Sequence, residues 1–232
     1  MTKYEDLINR YESNGIKLKK MCSIPNYGLY YIHDANPIIW LSGGIHGDEP
    51  AGAYAVFLVY KILRARNIPC IVFPCMNPWG FDRNKREGMN GMDLNHVYEL
   101  VGAESPKCIK SQKKFVFVIN TIKLVLDLHE DMNANGCYLW KSPQIGEEEA
   151  REILSVASKI DDRKMIEGYK SNDGIINDTG RSDELPSETV WLNHNGFRNT
   201  LVLETNSSNR DIKDRIRDLR SMALKSIDIL ID

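Results

Sequence analysis

The chain has 232 residues, of which 42% are hydrophobic and 27% charged, and its 30 basic and 32 acidic residues leave a formal net charge of -2. A chain of this length buries enough surface to form a full hydrophobic core, which excludes a small scaffold stapled by disulfides. The composition predicts a globular protein with one domain over residues 1–232. No basic arm for a nucleic-acid backbone is present, so we expect no nucleic-acid partner.

Neither the opening segment nor the apolar runs resemble a targeting or membrane signal. The opening, MTKYEDLINRYESNGIKLKKM, lacks the apolar stretch of a secretory signal, which predicts a cytoplasmic location. The longest apolar stretch runs from Ala51 to Leu63 and is interrupted by Lys61, so we expect no membrane partner. The five cysteines are scattered without a C-x-x-C pair, which predicts buried, reduced thiols.

Two short β-type runs are the first elements that the sequence pattern predicts. Residues 28–33 and 38–43 are separated by the turn-forming segment 34–37, which is typical of a β-hairpin. Pro50 then suits a first helical turn, and apolar residues recur after it at spacings of three and four. We therefore expect a helix that extends to about Arg66.

The middle of the chain contains two apolar runs with a polar stretch between them. Residues 68–74 and 123–128 are short and rich in branched apolar side chains, which predicts buried strands. The Gly- and Asn-rich stretch 77–95 is too polar for a core. Because long loops in compact domains are usually functional, we expect this stretch to belong to a site.

The carboxyl-terminal half completes an alternation of strands and helices. Strands are predicted at 137–141 and 200–203, a helix at 147–160, and mostly loop over 168–199. The last helix is predicted to begin at Ser208 as N-cap. Its apolar face comprises Ile212, Ile216, Leu219, Ala223, Ile227 and Leu230. Together these elements predict an α/β fold, a three-layer α/β/α sandwich around a mixed, largely parallel sheet.

Two histidines and a glutamate stand at the ends of predicted strands. In GGIHGDE, His46 and Glu49 are three residues apart on a glycine-bent loop, and imidazole with carboxylate suits zinc. Alone, this pair also fits an ordinary surface histidine beside an acid. His129 ends the run KLVLDLH, and α/β sheets place ligand sites at the carboxyl ends of strands. A His-Glu-His set with one open position is the geometry of a catalytic zinc.

A third group of motifs makes a family resemblance specific. NPWGF at 77–81, Arg86 and GMDLN at 91–95 resemble the N-P-D-G-F, R and G-x-D-L-N-R elements of the zinc carboxypeptidase family. HGDE resembles its first zinc motif, DLHE its third-ligand strand, and the segment 203–205 its late catalytic glutamate. The chain is also similar in outline to small bacterial murein-peptide amidases, and more distantly to succinylglutamate desuccinylase and aspartoacylase.

The resemblance implies a metal centre and a general base. It implies one zinc ion per chain, bound by His46, Glu49 and His129. It also implies that Glu204 takes the proton from the attacking water and passes it to the leaving amine. A glutamate that closes a strand is otherwise usually a solvent-exposed side chain.

Two further positions carry roles that the resemblance implies. Arg86 would stabilise the oxyanion that develops on the attacked carbonyl, whereas the alternative is a solvated loop arginine. Asp93 is similar to the acid that orients the first zinc histidine, and this contact would set the tautomer of His46. The alternative for Asp93 is an ordinary loop acid.

The chain departs from the family at His96. There the family has an arginine that grips the substrate's terminal carboxylate together with the asparagine, here Asn95. An imidazole is mostly neutral at pH 7, whereas a guanidinium carries a permanent charge in a bidentate fork. Either Asn95 and His96 suffice, or another cation such as Arg181 or Arg198 takes over, or the substrate is not an ordinary peptide C-terminus. For the family's substrate-loop tyrosine, Tyr169 is one candidate.

These features together favour a zinc metallopeptidase that hydrolyses an amide bond near the carboxyl end of a small peptide. The alternative is a zinc deacylase of N-acyl amino acids, like succinylglutamate desuccinylase and aspartoacylase, although the short chain and GMDLN favour the peptidase. A third possibility is a non-catalytic zinc-binding relative, against which Arg86 and Glu204 argue. The expected partner is a small peptide or an N-acyl amino acid.

Overall fold

The computed structural model describes residues 1–117, 119–177 and 186–231. In these ranges the strands are β1 (Lys19–Ile24), β2 (Tyr27–His33), β3 (Ile39–Gly43), β4 (Cys70–Phe73), β5 (Leu124–Asp131), β6 (Tyr138–Lys141), β7 (Met165–Ile166), β8 (Tyr169–Lys170), β9 (Ile175–Asn177) and β10 (Thr200–Asn206). Eight of them form one mixed sheet in the order β1-β2-β4-β3-β5-β10-β6-β9, while β7 and β8 form a separate hairpin. The four central strands, from β4 to β10, are parallel.

Helices cover both faces of this sheet. They are α1 (Lys3–Ser13), α2 (Pro50–Ala65), α3 (Pro78–Arg83), α4 (Lys107–Lys113), α5 (Glu147–Leu154), α6 (Glu188–His194) and α7 (Ile212–Leu230). Helices α2, α5 and α7 pack on the first face, and α4 and α6 pack on the second face. The predicted three-layer α/β/α sandwich is confirmed.

The central strands are apolar on both sides because both faces are covered. Leu41 and Leu126 belong to the core beneath α2 and α7, whereas their neighbours Trp40 and Val125 belong to the core of the second face. The register places Trp40 opposite Val125, so like-facing side chains of adjacent strands stack in rows. Continuous burial of this kind is typical of parallel strands in α/β proteins.

The hairpin predicted from residues 28–33 and 38–43 is wrong. β2 pairs antiparallel with β1 and β4, and β3 pairs parallel with β4 and β5, so β4 lies between the two predicted partners. Every residue of β3 is buried, and such a strand needs a neighbour on each side. The connecting segment does turn, with Asn36 at a φ of 50°, but it leads to a strand two positions away in the sheet.

The remaining element predictions differ mainly at their ends. The helix predicted from Pro50 to Arg66 is confirmed as α2. Helix α7 begins at Ile212, not after Ser208, because the side chain of Asp211 accepts the Lys213 N–H at 2.7 Å and acts as N-cap. The predicted loop 77–95 contains α3 and a short 3-10 helix, Leu94–His96.

Helices α1 and α4 and strands β1 and β7 were not predicted. The prediction of mostly loop over 168–199 is wrong in part, because this stretch contains β8, β9 and α6. Four of the five cysteines are buried free thiols, and Cys22 is half-buried. Within the described ranges, the helices are all too short or too polar to cross a membrane.

Candidate metal centre and catalytic cleft

A cavity of about 570 Å³ lies near the carboxyl ends of β5 and β10. Seven of the eight residues predicted from the sequence line it, namely His46, Glu49, Arg86, Asn95, His96, His129 and Glu204. The eighth, Asp93, contacts Nε2 of His46, on the side of the ring opposite Glu49. Segments that are far apart in the chain therefore meet at one cleft.

His46, Glu49 and His129 form a buried cluster in this cleft. Nδ1 of His46 lies 2.7 Å from Oε1 of Glu49, and Nδ1 of His129 lies 2.8 Å from Oε2 of the same carboxylate. One ligand atom from each residue lies within 4.8 Å of the other two. Two imidazole nitrogens and one carboxylate are a donor set for a metal ion, and their convergence fits such a group.

Each histidine is also held on its far side by a carboxylate. Nε2 of His46 lies 3.0 Å from Asp93, and Nε2 of His129 lies 2.9 Å from Asp127. In the neutral ring this contact keeps the hydrogen on Nε2 and directs the Nδ1 lone pair at Glu49. Burial opposes charge on the rings, but the carboxylate neighbours outweigh it and raise the pKa of both histidines. Protons and a metal ion therefore compete for the same two nitrogens.

Glu49 reaches the cluster because of its place at the start of α2. It is the N-cap residue before Pro50, yet its carboxylate does not cap the helix. Instead Glu130 of β5 accepts the N–H of Ala51 at 2.6 Å and pairs with Arg215 of α7. The N–H of Glu130 in turn donates to Oε2 of Glu49 at 3.1 Å, which fixes that carboxylate toward the histidines.

The NPWGF segment builds the loop that carries Arg86. Asn77 caps α3 by accepting the N–H of Gly80 at 2.9 Å. The amide nitrogen of Asn77 donates to the carbonyls of Arg86 and Glu87 at 3.2 and 3.0 Å. A Cβ at Gly47 would clash with the backbone of Gly80, so only glycine lets the HGDE loop lie this close to α3.

The Arg86 guanidinium reaches the edge of the metal-ligand cluster. Its Nε donates to Asp93 at 2.9 Å, and its Nη1 donates to Oε1 of Glu49 at 3.1 Å. The side chain remains 44% exposed. A guanidinium has five N–H donors, so further donors can reach an oxygen of a molecule in the cleft. Asp93 thus contacts both a candidate ligand and a candidate oxyanion donor.

Glu204 lies beside the cluster because β10 runs parallel to β5, with Glu204 opposite His129. The residue is only 8% exposed, and its Oε2 has no hydrogen-bond partner among the described residues. Burial raises the pKa of Glu204 well above its ordinary value, with His129 opposing and Glu49 adding to the increase. Since no described residue pairs with this oxygen, it is available to a molecule bound in the cavity.

Asn95 and His96 line the cavity beside the start of α6. Oδ1 of Asn95 accepts the N–H of Glu188 at 2.9 Å, so its amide nitrogen is the group available to the cleft. Arg198 does not line the cavity in the part of the chain that the structure describes. Arg181 lies outside the described residues.

Aromatic side chains form the part of the cavity above β6 and β10. Tyr169 and Trp140 both line it, with ring centroids 4.9 Å apart in an edge-to-face arrangement. Trp191 lies in the hydrophobic core of the second face instead. Tyr169 therefore has the position of a cleft residue, while Trp191 contributes to packing.

The sequence analysis did not identify several polar side chains of the site. Asp127 had a usable signal, because alternate residues of a strand share a face and DLH places it beside His129. Glu130 and Glu188 act through residues distant in the chain and leave no local pattern. Asp48 lines the cleft, and burial followed by the charge of Glu49 raises its pKa.

Solved structures with similar folds include enzymes of the peptidase type. A metallopeptidase candidate from Shewanella amazonensis SB2B superposes with a TM-score of 0.78 at 18% identity, covering 98% of this chain and 92% of that one. A metallo-carboxypeptidase from Burkholderia cenocepacia gives 0.71 at 16% identity, with 97% and 67% covered. The product-bound cell shape determinant protein Csd4 from Helicobacter pylori gives 0.60 at 16% identity, with 88% and 55% covered. At these identities the likeness concerns the fold alone.

Sequence comparison assigns the family. No curated protein sequence matches the chain significantly. A family model, that of the succinylglutamate desuccinylase/aspartoacylase catalytic domain, matches residues 35–166 and so includes His46, Glu49 and His129. Because this match spans more than half of the 232 residues, the chain belongs to the succinylglutamate desuccinylase/aspartoacylase catalytic domain family.

Proposed function

We propose that this protein is a zinc-dependent hydrolase that cleaves an amide bond near the carboxyl end of a small peptide. The observation that carries the proposal is the buried carboxylate oxygen of Glu204, which has no hydrogen-bond partner in the described ranges and lies in the cavity that His46, Glu49 and His129 also line. An acid of this kind beside a metal-ligand set is the arrangement needed for hydrolysis by an activated water.

The donor set favours zinc over harder cations. Two imidazole nitrogens with one carboxylate are common catalytic zinc ligands, whereas magnesium and calcium prefer oxygen. When bound, zinc supplies Lewis acidity and lowers the pKa of water toward about 7. His46, Glu49 and His129 would hold it, and Asp93 and Asp127 would orient the two rings.

The other side chains of the cleft transfer protons, stabilise developing charge and bind the substrate. Glu204 accepts a proton from the attacking water through its Oε2, which lies in the cavity, and delivers it to the leaving nitrogen. Arg86 donates N–H groups to the oxygen that gains charge. Asn95 offers its amide N–H groups, and His96 an imidazole, to a substrate carboxylate.

A second candidate is hydrolysis of an N-acyl amino acid. Membership of the succinylglutamate desuccinylase/aspartoacylase family supports it, while the motif order and the fold shared with peptidase structures support the peptide. Both substrates present an amide next to a carboxylate. The relative kcat/KM on dipeptides, cell-wall peptides and N-acyl amino acids decides between them.

The Glu204→Gln variant tests the proposed function. We expect it to keep its metal and to lose at least about 100-fold in kcat, because an amide cannot accept the proton. Glu148→Gln, on the exposed surface of α5, is the matched control and should retain full activity. Near-normal turnover by Glu204→Gln would contradict the assignment of the base. A zinc-loaded wild-type protein that hydrolyses none of the three substrate classes would favour a non-catalytic relative.

A further inference from the structure

Glu188, the first residue of α6, is a fully buried acid that the proposed reaction does not use. Its Oε1 accepts hydrogen bonds from Nε1 of Trp40 at 2.7 Å and from Nε2 of Gln112 at 2.9 Å. Its Oε2 lies 3.0 Å from the hydroxyl of Tyr98. Side chains from β3, α4 and the segment before α4 thus converge on one carboxyl group beneath the cleft.

The hydrogen atoms in this cluster can be counted. The Tyr98 hydroxyl has one hydrogen but two oxygen neighbours, Oε1 of Gln112 at 2.6 Å and Oε2 of Glu188 at 3.0 Å. Gln112 cannot supply the missing hydrogen through its oxygen, and its nitrogen is already directed at Oε1 of Glu188. Both contacts of Tyr98 are hydrogen bonds only if Glu188 carries a proton on Oε2.

The charges that face Glu188 favour the same protonation state. Asp127 of β5 sets a like charge near it, while hydrogen bonds from Trp40, Ser42 and Tyr98 act in the opposite direction. The Ser42 hydroxyl also lies 3.2 Å from Oδ1 of Asp127. On α4, the ammonium of Lys113 donates a hydrogen bond to the backbone carbonyl of Tyr98 at 2.6 Å, and not to Glu188. Burial, with a further contribution from Asp127, raises the pKa of Glu188 to about 8. The direction of this pKa shift agrees with the hydrogen count, which requires the neutral acid.

Glu188 is also connected to the wall of the cleft. Its own N–H donates to Oδ1 of Asn95 at 2.9 Å, which orients the amide nitrogen of Asn95 toward the cavity. The residues on either side, Ser187 and Thr189, line the cavity. Any movement of Glu188 therefore displaces Asn95 and the first turn of α6.

We propose that Glu188 is a positioning residue, kept as a neutral carboxylic acid, that donates its hydrogen to Tyr98 and so holds Asn95 and the start of α6 in place to bind substrate. The role of Asn95 in substrate binding rests on the proposed function, whereas the protonation of Glu188 does not. Ionisation at alkaline pH leaves the Tyr98 contact without a hydrogen and sets a second carboxylate near Asp127 in the dry core. Substrate binding then weakens while the chemistry at Glu204 and the metal centre continues.

The Glu188→Gln variant tests the protonation state without any substrate. The amide keeps the shape, accepts from Trp40 and Gln112, and donates to Tyr98, so we expect a Tm at neutral pH equal to or above that of the wild type. The native acid holds a proton that the unfolded chain has released, so wild-type Tm falls as pH rises from about 5 to about 8. We expect this pH-dependent decrease in Tm to be absent in Glu188→Gln, because the amide does not titrate.

Infrared difference spectra and a truncation complete this test. Subtracting Glu188→Gln from the wild type at neutral pH should reveal the carbonyl stretch of a protonated carboxylic acid. Glu188→Ala should lower Tm at every pH, because three donors or acceptors lose their partner. A carboxylate band in place of the acid band, or a Glu188→Gln variant as unstable as Glu188→Ala, would overturn the proposal.

Kinetics on the best substrate of the panel test the positioning role. We expect wild-type KM to rise about 2- to 10-fold above pH 8 with a smaller change in kcat, which corresponds to the loss of one hydrogen bond. Glu188→Gln should keep a flat KM over this range, and Glu148→Gln should follow the wild type. A flat wild-type KM would overturn the positioning role. If nothing on the panel is hydrolysed, the proposed function fails, and the Tm and infrared results still decide the state of Glu188.

Discussion

Each histidine of the candidate metal centre depends on a carboxylate from another part of the chain. Asp93, in the polar stretch after α3, holds His46, and Asp127, two residues earlier in the same strand, holds His129. These contacts fix which ring nitrogen faces Glu49. The affinity for a metal ion is therefore a property of five side chains and not of three.

Replacing these side chains one at a time separates ligands from supporting residues. We expect His129→Ala to lose the zinc, because removal of one of three ligands costs most of the affinity. Asp127→Ala should keep a zinc site weakened by about 10- to 100-fold. Metal content after dialysis and competition with a chelator measure both effects. His194→Ala, at the exposed end of α6, is the control and should bind zinc like the wild type.

Full zinc occupancy in His129→Ala would contradict the ligand assignment. Asp127→Ala with unchanged affinity would show that the orientation of the ring is maintained by its packing alone.

At the scale of elements, the contact between α2 and β5 determines where Glu49 lies. Gly52, in the first turn of α2, faces the carbonyl oxygen of Leu128, one residue before His129. A Cβ at this position would clash with that oxygen, which is backbone and cannot rotate away. The close approach brings the N-terminus of α2, and with it Glu49, to the strand that carries His129.

Gly52→Ala should therefore affect both the fold and the site. We expect a loss of about 1–3 kcal/mol in the free energy of unfolding, since α2 must shift away from β5. Zinc affinity should fall as well, because Glu49 moves with the helix. Chemical denaturation and metal titration measure the two effects. Gly146→Ala is the control, since its Cβ meets only the flexible Glu149 side chain; equal stability of the two variants would contradict the close-packing argument.

At the scale of the whole molecule, one buried carboxylate on α7 joins that helix to the segment after α5. Asp218 of α7 is 1% exposed and accepts from Ser158 at 2.6 Å and from Arg210 at 2.6 Å. Burial alone would raise the pKa of Asp218, but these two partners outweigh it and lower the pKa. The ionised form therefore stabilises the native state above the unfolded pKa, and this stabilisation is lost as pH falls.

Asp218→Asn should accordingly reduce stability in a pH-dependent way. At neutral pH we expect a loss of about 1–3 kcal/mol, the range for a buried hydrogen bond to a charged group. The difference from the wild type should shrink as pH falls below about 4. There the unfolded carboxylate takes up a proton first, and the folded carboxylate follows at lower pH because its pKa is lowered. Tm measured over this pH range provides the test. Asp228, also on α7, makes an exposed pair with Arg66 at the end of α2, so Asp228→Asn should change stability little. A constant Asp218→Asn effect at all pH values would contradict the charge argument.

Sequence patterns predicted the four central strands of the sheet and the long helices α2 and α7 because the causes of these elements are local. The apolar spacing of α2 and α7 and the continuous apolar runs of β4 and β5 depend on neighbours in the chain. The false hairpin shows where this reasoning fails. A turn at Asn36 is a local event, but the partner of β3 is chosen by burial on both edges, and that choice depends on β4, which begins at Cys70.

The sequence by itself determined the fold class and the chemical groups of the candidate site, because motif residues, their order and strand-end positions are visible in one dimension. The tertiary structure alone decided what surrounds them. Asp127 and Glu130 support the three candidate metal ligands, and Glu188 contacts Asn95. These contacts join residues as many as 148 positions apart, as in the Trp40–Glu188 pair. Burial and hydrogen-bond partners set the protonation of Glu188 and Glu204, and neither quantity exists before the chain has folded.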